Sequence, residues 1–97
     1  MDNKDYLIIL YDYYSMLFTD KQRLYFEEYY FNDLSYGEIS EKYSVSRNAI
    51  FHQLKLITEK LVFFEEKLQL YVKKQKINDI IKLINDKKVQ EELENIL

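Results

Sequence analysis

The 97-residue chain contains no proline and a single glycine, Gly37. The two residues that most often interrupt helices are therefore almost absent, and the Asn-Gly and Asp-Gly pairs that close tight β-hairpins do not occur. The chain is read as all-α and, at this length, as a single helical domain over 1–97. Hydrophobic residues make up 47% and charged residues 32%, enough apolar material for a packed core, and the 16% aromatic content argues against disorder.

Helical periodicity and capping signals divide the chain. Leu7, Leu10, Tyr14 and Leu17 recur at helical spacing in a first helix from about Lys4 to Leu17. Thr19 stands as N-cap before a second helix whose Phe26, Tyr29 and Tyr30 face inward, and Asn32 and Asp33, which tolerate left-handed backbone, turn the chain. Ser35 and Glu38 have the spacing of a capping box and open a short third helix. Ser46 caps a fourth that begins at Arg47, with Ile39, Tyr43 and Val45 packing the two together and Ala49 allowing close approach. This is a helix-turn-helix core over 4–55. Its turn commonly favours glycine near position 44, where this chain has Ser44.

The fourth helix continues as a long helix over 47–75. Ile50, Leu54, Ile57, Leu61, Phe64, Leu68 and Tyr71 alternate spacings of four and three, three heptads of apolar seam, while Ala49, Leu56, Phe63, Leu70 and Ile77 form a second row. One face can serve the domain and another a second chain. Leu61, Phe64, Leu68 and Tyr71 are the expected homodimer interface, the alternative being that the seam packs on the protein's own terminal helices. Short C-terminal helices over 77–97 follow, one through Ile77, Ile80, Ile81 and Ile84 and one after Asp86 through Val89, Leu93 and Ile96.

Catalysis finds no support. Without cysteine there is no thiolate nucleophile or zinc–cysteine site, and His52 stands alone, with no second histidine to build a metal site or a triad. One glycine cannot make a phosphate loop. The adjacent glutamates Glu27–Glu28, Glu65–Glu66 and Glu91–Glu92 diverge by about 100° on a helix and are read as solvated. The ten tyrosines suit core and interface positions. No enzyme activity and no cofactor or metal is expected. The apolar run near the N-terminus is broken by Asp12, too short for a membrane span of about 20 residues, so no membrane insertion is expected and the location is read as cytoplasmic.

Charge narrows the binding reading. The chain is net −3, but residues 46–76 carry 7 basic and 3 acidic side chains, whereas 1–45 carry 4 and 9 and 77–97 carry 3 and 5. The basic stretch coincides with the expected recognition helix. Arg47, Asn48, His52 and Lys55 project from its exposed side as candidate nucleic-acid-binding residues, arginine and asparagine being suited to bidentate contacts with guanine and adenine edges. A surplus of this size argues against tight binding at high salt by one copy.

The stretch "FTDKQRLYFEEYYFNDLSYGEISEKYSVSRNAIFHQLK" and the later "FFEEKLQLY" resemble the YlxM-type proteins, small helix-turn-helix proteins of low-GC Gram-positive bacteria and their wall-less relatives. Residues 19 to 61 are similar, more distantly, to region 4 of sigma factors. The YlxM resemblance implies a regulatory or accessory role in the signal recognition particle pathway, with the particle's RNA or protein as partner. The sigma-like resemblance implies that the corresponding helix reads promoter DNA. The capped motif with Arg47 and Asn48 favours the alternative function, a sequence-specific DNA-binding transcriptional regulator in which a homodimer places two helices in successive major grooves about 34 Å apart.

Overall fold

A computed structural model describes residues 3–96 and shows six α-helices among them: α1 (Asn3–Tyr14), α2 (Asp20–Tyr30), α3 (Tyr36–Tyr43), α4 (Arg47–Leu68), α5 (Leu70–Lys82) and α6 (Lys87–Ile96). The first helix tightens into a 3-10 turn over Ser15–Leu17 before Phe18. The all-α reading holds. Capping explains most of the boundaries: Thr19 Oγ1 accepts from Gln22 N–H at 3.2 Å while the Gln22 side chain accepts from Thr19 N–H at 3.0 Å. Ser35 and Glu38 make the same reciprocal pair, both at 3.1 Å, and Ser46 Oγ accepts from Ala49 N–H at 3.0 Å. Ser44 sits in left-handed backbone with φ 55°, as does Asp33 with φ 56°. At Ser44 this geometry lets its own N–H and that of Val45 close on the Ser40 carbonyl.

Helix α4 is the axis of the molecule. Its first turns contribute Ile50 and Leu54 to a core with Tyr25 of α2 and Ile39 of α3, ringed by Tyr29, Leu34, Tyr36, Tyr43 and Val45. Further along, Ile57 and Leu61 join Leu10, Tyr11 and Tyr14 of α1, Phe18, and Phe26 of α2. The apolar seam of α4 is therefore covered by α1, α2 and α3.

Three of the four residues expected at a dimer interface pack within the chain itself. Leu61 is fully buried in the chain's own core, and Phe64 packs on Tyr14 at 5.9 Å and Phe18 at 5.8 Å between ring centres. Tyr71 meets Tyr6 and Tyr13 at 6.2 and 6.0 Å. Of the four, Leu68 alone is exposed. Of the two readings of the seam, the chain's own helices occupy it, because a heptad pattern reports an apolar face without reporting what covers it.

The long helix expected over 47–75 is also two helices. It ends at Leu68, Gln69 turns left-handed with φ 55°, and α5 begins at Leu70, seven residues before the expected start. The break is held by a carboxylate. Glu65, in the last turn of α4 and buried, accepts hydrogen bonds from Tyr14 Oη at 2.6 Å and from the N–H groups of Tyr71 and Val72 at 3.1 and 3.2 Å. Tyr14 Oη in turn accepts from Leu70 N–H at 3.0 Å. Three otherwise orphaned donors of the first turn of α5 are thus satisfied by α4 and α1, and the positive end of the helix dipole faces a negative charge. Burial and the Glu65 carboxylate push the Tyr14 hydroxyl up to about 12, so it stays protonated and donates.

Glu28 is the corresponding joint between α2 and α3. It too is buried, and it accepts from Asn32 Nδ2, Tyr43 Oη and Lys42 Nζ, each at 2.7 Å. Glu28 and Glu65 correct the reading of the glutamate pairs as solvated; Glu27, Glu66, Glu91 and Glu92 are exposed. A tyrosine hydroxyl reaches each buried carboxylate, and Tyr11 Oη donates similarly to Glu27 at 2.7 Å. In this chain the phenol ring fills core while its hydroxyl anchors a neighbouring helix.

Two predictions follow from these joints. Ser46→Ala removes one side-chain acceptor from the start of α4 and should cost about 1 kcal/mol, seen as a fall of roughly 4–8 °C in melting temperature with helical content at 20 °C unchanged; an unchanged melting temperature contradicts the cap. The bonds from Lys42, Tyr43 and Asn32 hold the Glu28 carboxyl down at about 2, below its ordinary 4.5. Its contribution is therefore fully present above about 4.5 and is lost as pH falls toward 2. Wild type should lose melting temperature steeply across that window. Glu28→Gln should be less stable at pH 7 and show a shallower acid dependence, whereas parallel curves would show that Glu28 carries no such linkage.

Candidate nucleic-acid interface

The start of α4 is placed by local chemistry. Ser46 fixes where the helix begins, the left-handed Ser44 sets the angle at which it leaves α3, and Ile39, Ile50 and Leu54 lock the two helices face to face. One strip of α4 carries Arg47, Asn48, Phe51, His52 and Lys55, all exposed, at offsets of 0, 1, 4, 5 and 8. The structure thus brings the four expected residues onto one face. It adds Phe51 between them, which the charge pattern did not single out, although its place one turn after Arg47 was readable.

The N-terminus of α3 completes the surface. Ser35, Tyr36 and Gly37 line, with Arg47, Asn48 and Phe51, an open depression of about 410 Å³. Gly37 has an ordinary negative φ, and its lack of a side chain serves the approach of Arg47: a Cβ there would stand 2.8 Å from the guanidinium Nη2. The guanidinium therefore lies over the first turn of α3. Rings continue the surface, Tyr29 stacked on Tyr36 at 5.0 Å, Tyr36 against the edge of Phe51 at 5.9 Å, and Phe51 against His52 at 5.6 Å. Burial and a hydrogen bond to Tyr29 push the Tyr36 hydroxyl above its ordinary value, which keeps it neutral.

Arg47 and Lys55 have no ion-pair partner among the described residues. Their charge is available to a phosphate or a carboxylate. The strip ends abruptly, because exposed Glu59 follows Lys55 by one turn on the same face. Lys60 is turned about 140° from Lys55, and Lys67 lies over the Phe63 ring at 5.7 Å. The basic surplus of residues 46–76 is thus divided: two cations on the strip, two on another side of α4, and three on α5 beyond the break. The strip itself carries only two cations.

No cluster of three or more histidine, aspartate or glutamate side chains positioned to hold a metal occurs among the described residues. No helix among them is long and apolar enough to cross a membrane.

The family described as "Putative helix-turn-helix protein, YlxM / p13 like" matches residues 1–97. A UPF0122 protein of Ureaplasma urealyticum serovar 10 is 44% identical over 91 residues, covering 94% of this chain and 92% of the relative. One from Oceanobacillus iheyensis is 40% identical over 100 residues, covering 99% and 95%. One from Thermoanaerobacter sp. (strain X514) is 50% identical over 72 residues, covering 74% and 62%. With this match along the whole chain, and with the capped α3–turn–α4 unit in place, the protein belongs to the UPF0122 family of YlxM-like helix-turn-helix proteins.

Proposed function

We propose that this protein is a non-catalytic accessory factor of the signal recognition particle pathway, located in the cytoplasm, that works as a pair of identical chains and touches the particle's RNA or an acidic surface of its protein through Arg47, Asn48, His52 and Lys55. The observation that carries the contact is the strip at the start of α4, where two unpaired cations, an amide and a ring edge are exposed together on a helix locked in place by caps and core. The assignment to the pathway rests on the resemblance to YlxM-type proteins. Two features support a backbone or protein contact over deep sequence readout. The positive strip is short, and it is closed off by Glu59, so one copy neutralises few phosphates.

A DNA-binding transcriptional regulator is the second reading. It is favoured by the capped helix-turn-helix itself, in which Arg47 and Asn48 occupy the N-terminal positions of the second helix, those that contact base edges when such a helix enters the major groove.

The double substitution Arg47→Ala with Lys55→Ala separates these readings from a purely structural role for the strip. Both residues are exposed and lie outside the two cores, so the melting temperature should change little. Affinity for particle RNA should fall about tenfold or more, and the slope of log affinity against log salt should flatten by about two. Selective binding to a duplex sequence in the same assays would favour transcriptional regulation. Undiminished binding of the double variant to every nucleic acid that wild type binds would remove the strip from the interface.

A further inference from the structure

The C-terminal arm is built unlike the rest of the molecule. The principal extents are 55 × 24 × 23 Å, and the radius of gyration is 17.1 Å, where a compact chain of this length has about 12–13 Å. After Tyr71 and Lys74, which pack on Tyr13, α5 runs outward and α6 folds back from its end. Ile81 is the one buried residue of α5, and α6 has none, although Val89, Leu93 and Ile96 give α6 a pronounced apolar stripe. Leu83 is 83%, Ile96 76% and Ile80 53% exposed. A ten-residue helix does not hold together in water on its own propensity, so such a stripe calls for cover.

The charges on the arm specify the cover. Lys73, Lys74 and Lys76 cluster near the start of α5, and Glu91, Glu92 and Glu94 toward the end of α6. None of the six has an ion-pair partner among the described residues. The two clusters lie toward opposite ends of the arm's sequence, with Asp79, Lys82, Asp86, Lys87 and Lys88 between them, and are opposite in sign, so the clusters of one arm complement those of another arm turned through a twofold axis. We propose that the α5–α6 arm is the surface through which a second copy of this chain binds, with α6 of each copy lying along α5 of the other, its glutamates facing the partner's α5 lysines and Ile80, Leu83, Val89 and Ile96 enclosed between them. This inference rests on the reading that two copies act together, and it replaces the α4 seam as the place where they meet. The pairing matches both charge sets twice and leaves the strip at the far end of α4 free.

Sedimentation of the full chain tests it, using substitutions at exposed positions and checking folding by thermal melting. Wild type should sediment as a dimer at tens of micromolar, and Leu83→Glu should be a folded monomer with dimer affinity reduced at least tenfold. A variant with Lys73→Glu and Lys76→Glu, and a second with Glu91→Lys and Glu94→Lys, should each be monomeric alone and combine into a one-to-one heterodimer when mixed. Charge-reversed variants that fail to combine would overturn the pairing. A wild-type dimer that persists in Leu83→Glu and in both charge variants would overturn the arm as interface while leaving the two-copy reading standing. A wild type that is monomeric at every concentration would overturn both.

Discussion

The buried carboxylate of Glu65 decides the shape of this molecule. A carboxylate out of water is costly unless hydrogen bonds and a favourable field replace its hydration. Here the Tyr14 hydroxyl and two backbone N–H groups supply the bonds, and the start of α5 supplies the field. One side chain thereby ends α4, starts α5 and ties both to α1. The Leu70 N–H bond to Tyr14 Oη and the packing of Tyr71 on Tyr6 and Tyr13 hold α5 in the same place.

Glu28 repeats the device at the other end. Its bonds to Asn32, Tyr43 and Lys42 join α2 to α3, so the first helix of the helix-turn-helix is braced from behind while Ile39 and Ile50 fix it to α4. The strip carrying Arg47 and Lys55 is therefore rigidly presented, although its own residues take no part in the core. Two joints separate two surfaces: the exposed strip at the start of α4, and past Gln69 an arm with unpaired charge and exposed apolar side chains.

How legible each part was in the sequence follows from the range of the interactions involved. The caps at Thr19, Ser35 and Ser46 act over three residues, so their spacing alone locates the helix starts. The apolar seam from Ile50 to Tyr71 was visible as a periodicity, but its occupant was not, since α1 and a second chain both satisfy the same pattern. The break at Gln69 was hidden for a stronger reason. Glutamine carries no breaking tendency, and the bond that stabilises the break joins Tyr14 to Glu65 across 51 positions. Glu28 and Glu65 looked solvated because an adjacent pair of glutamates advertises exposure, while the tyrosines that bury one member of each pair come from other helices. For the candidate site, the four residues were readable from charge and helical phase. The contribution of Ser35, Tyr36 and Gly37 from α3 needed the angle set at Ser44.

The proposed meeting place with nucleic acid is the start of α4 together with the first turn of α3. Titrating ¹⁵N-labelled protein with particle RNA and following amide chemical shifts tests it most directly. The largest changes should cluster at Ser35, Tyr36, Gly37, Arg47, Asn48, Phe51, His52 and Lys55, with the amides of α5 and α6 little moved. Changes concentrated on Lys73, Lys74, Lys76 and the rest of the arm, with the strip silent, would contradict it.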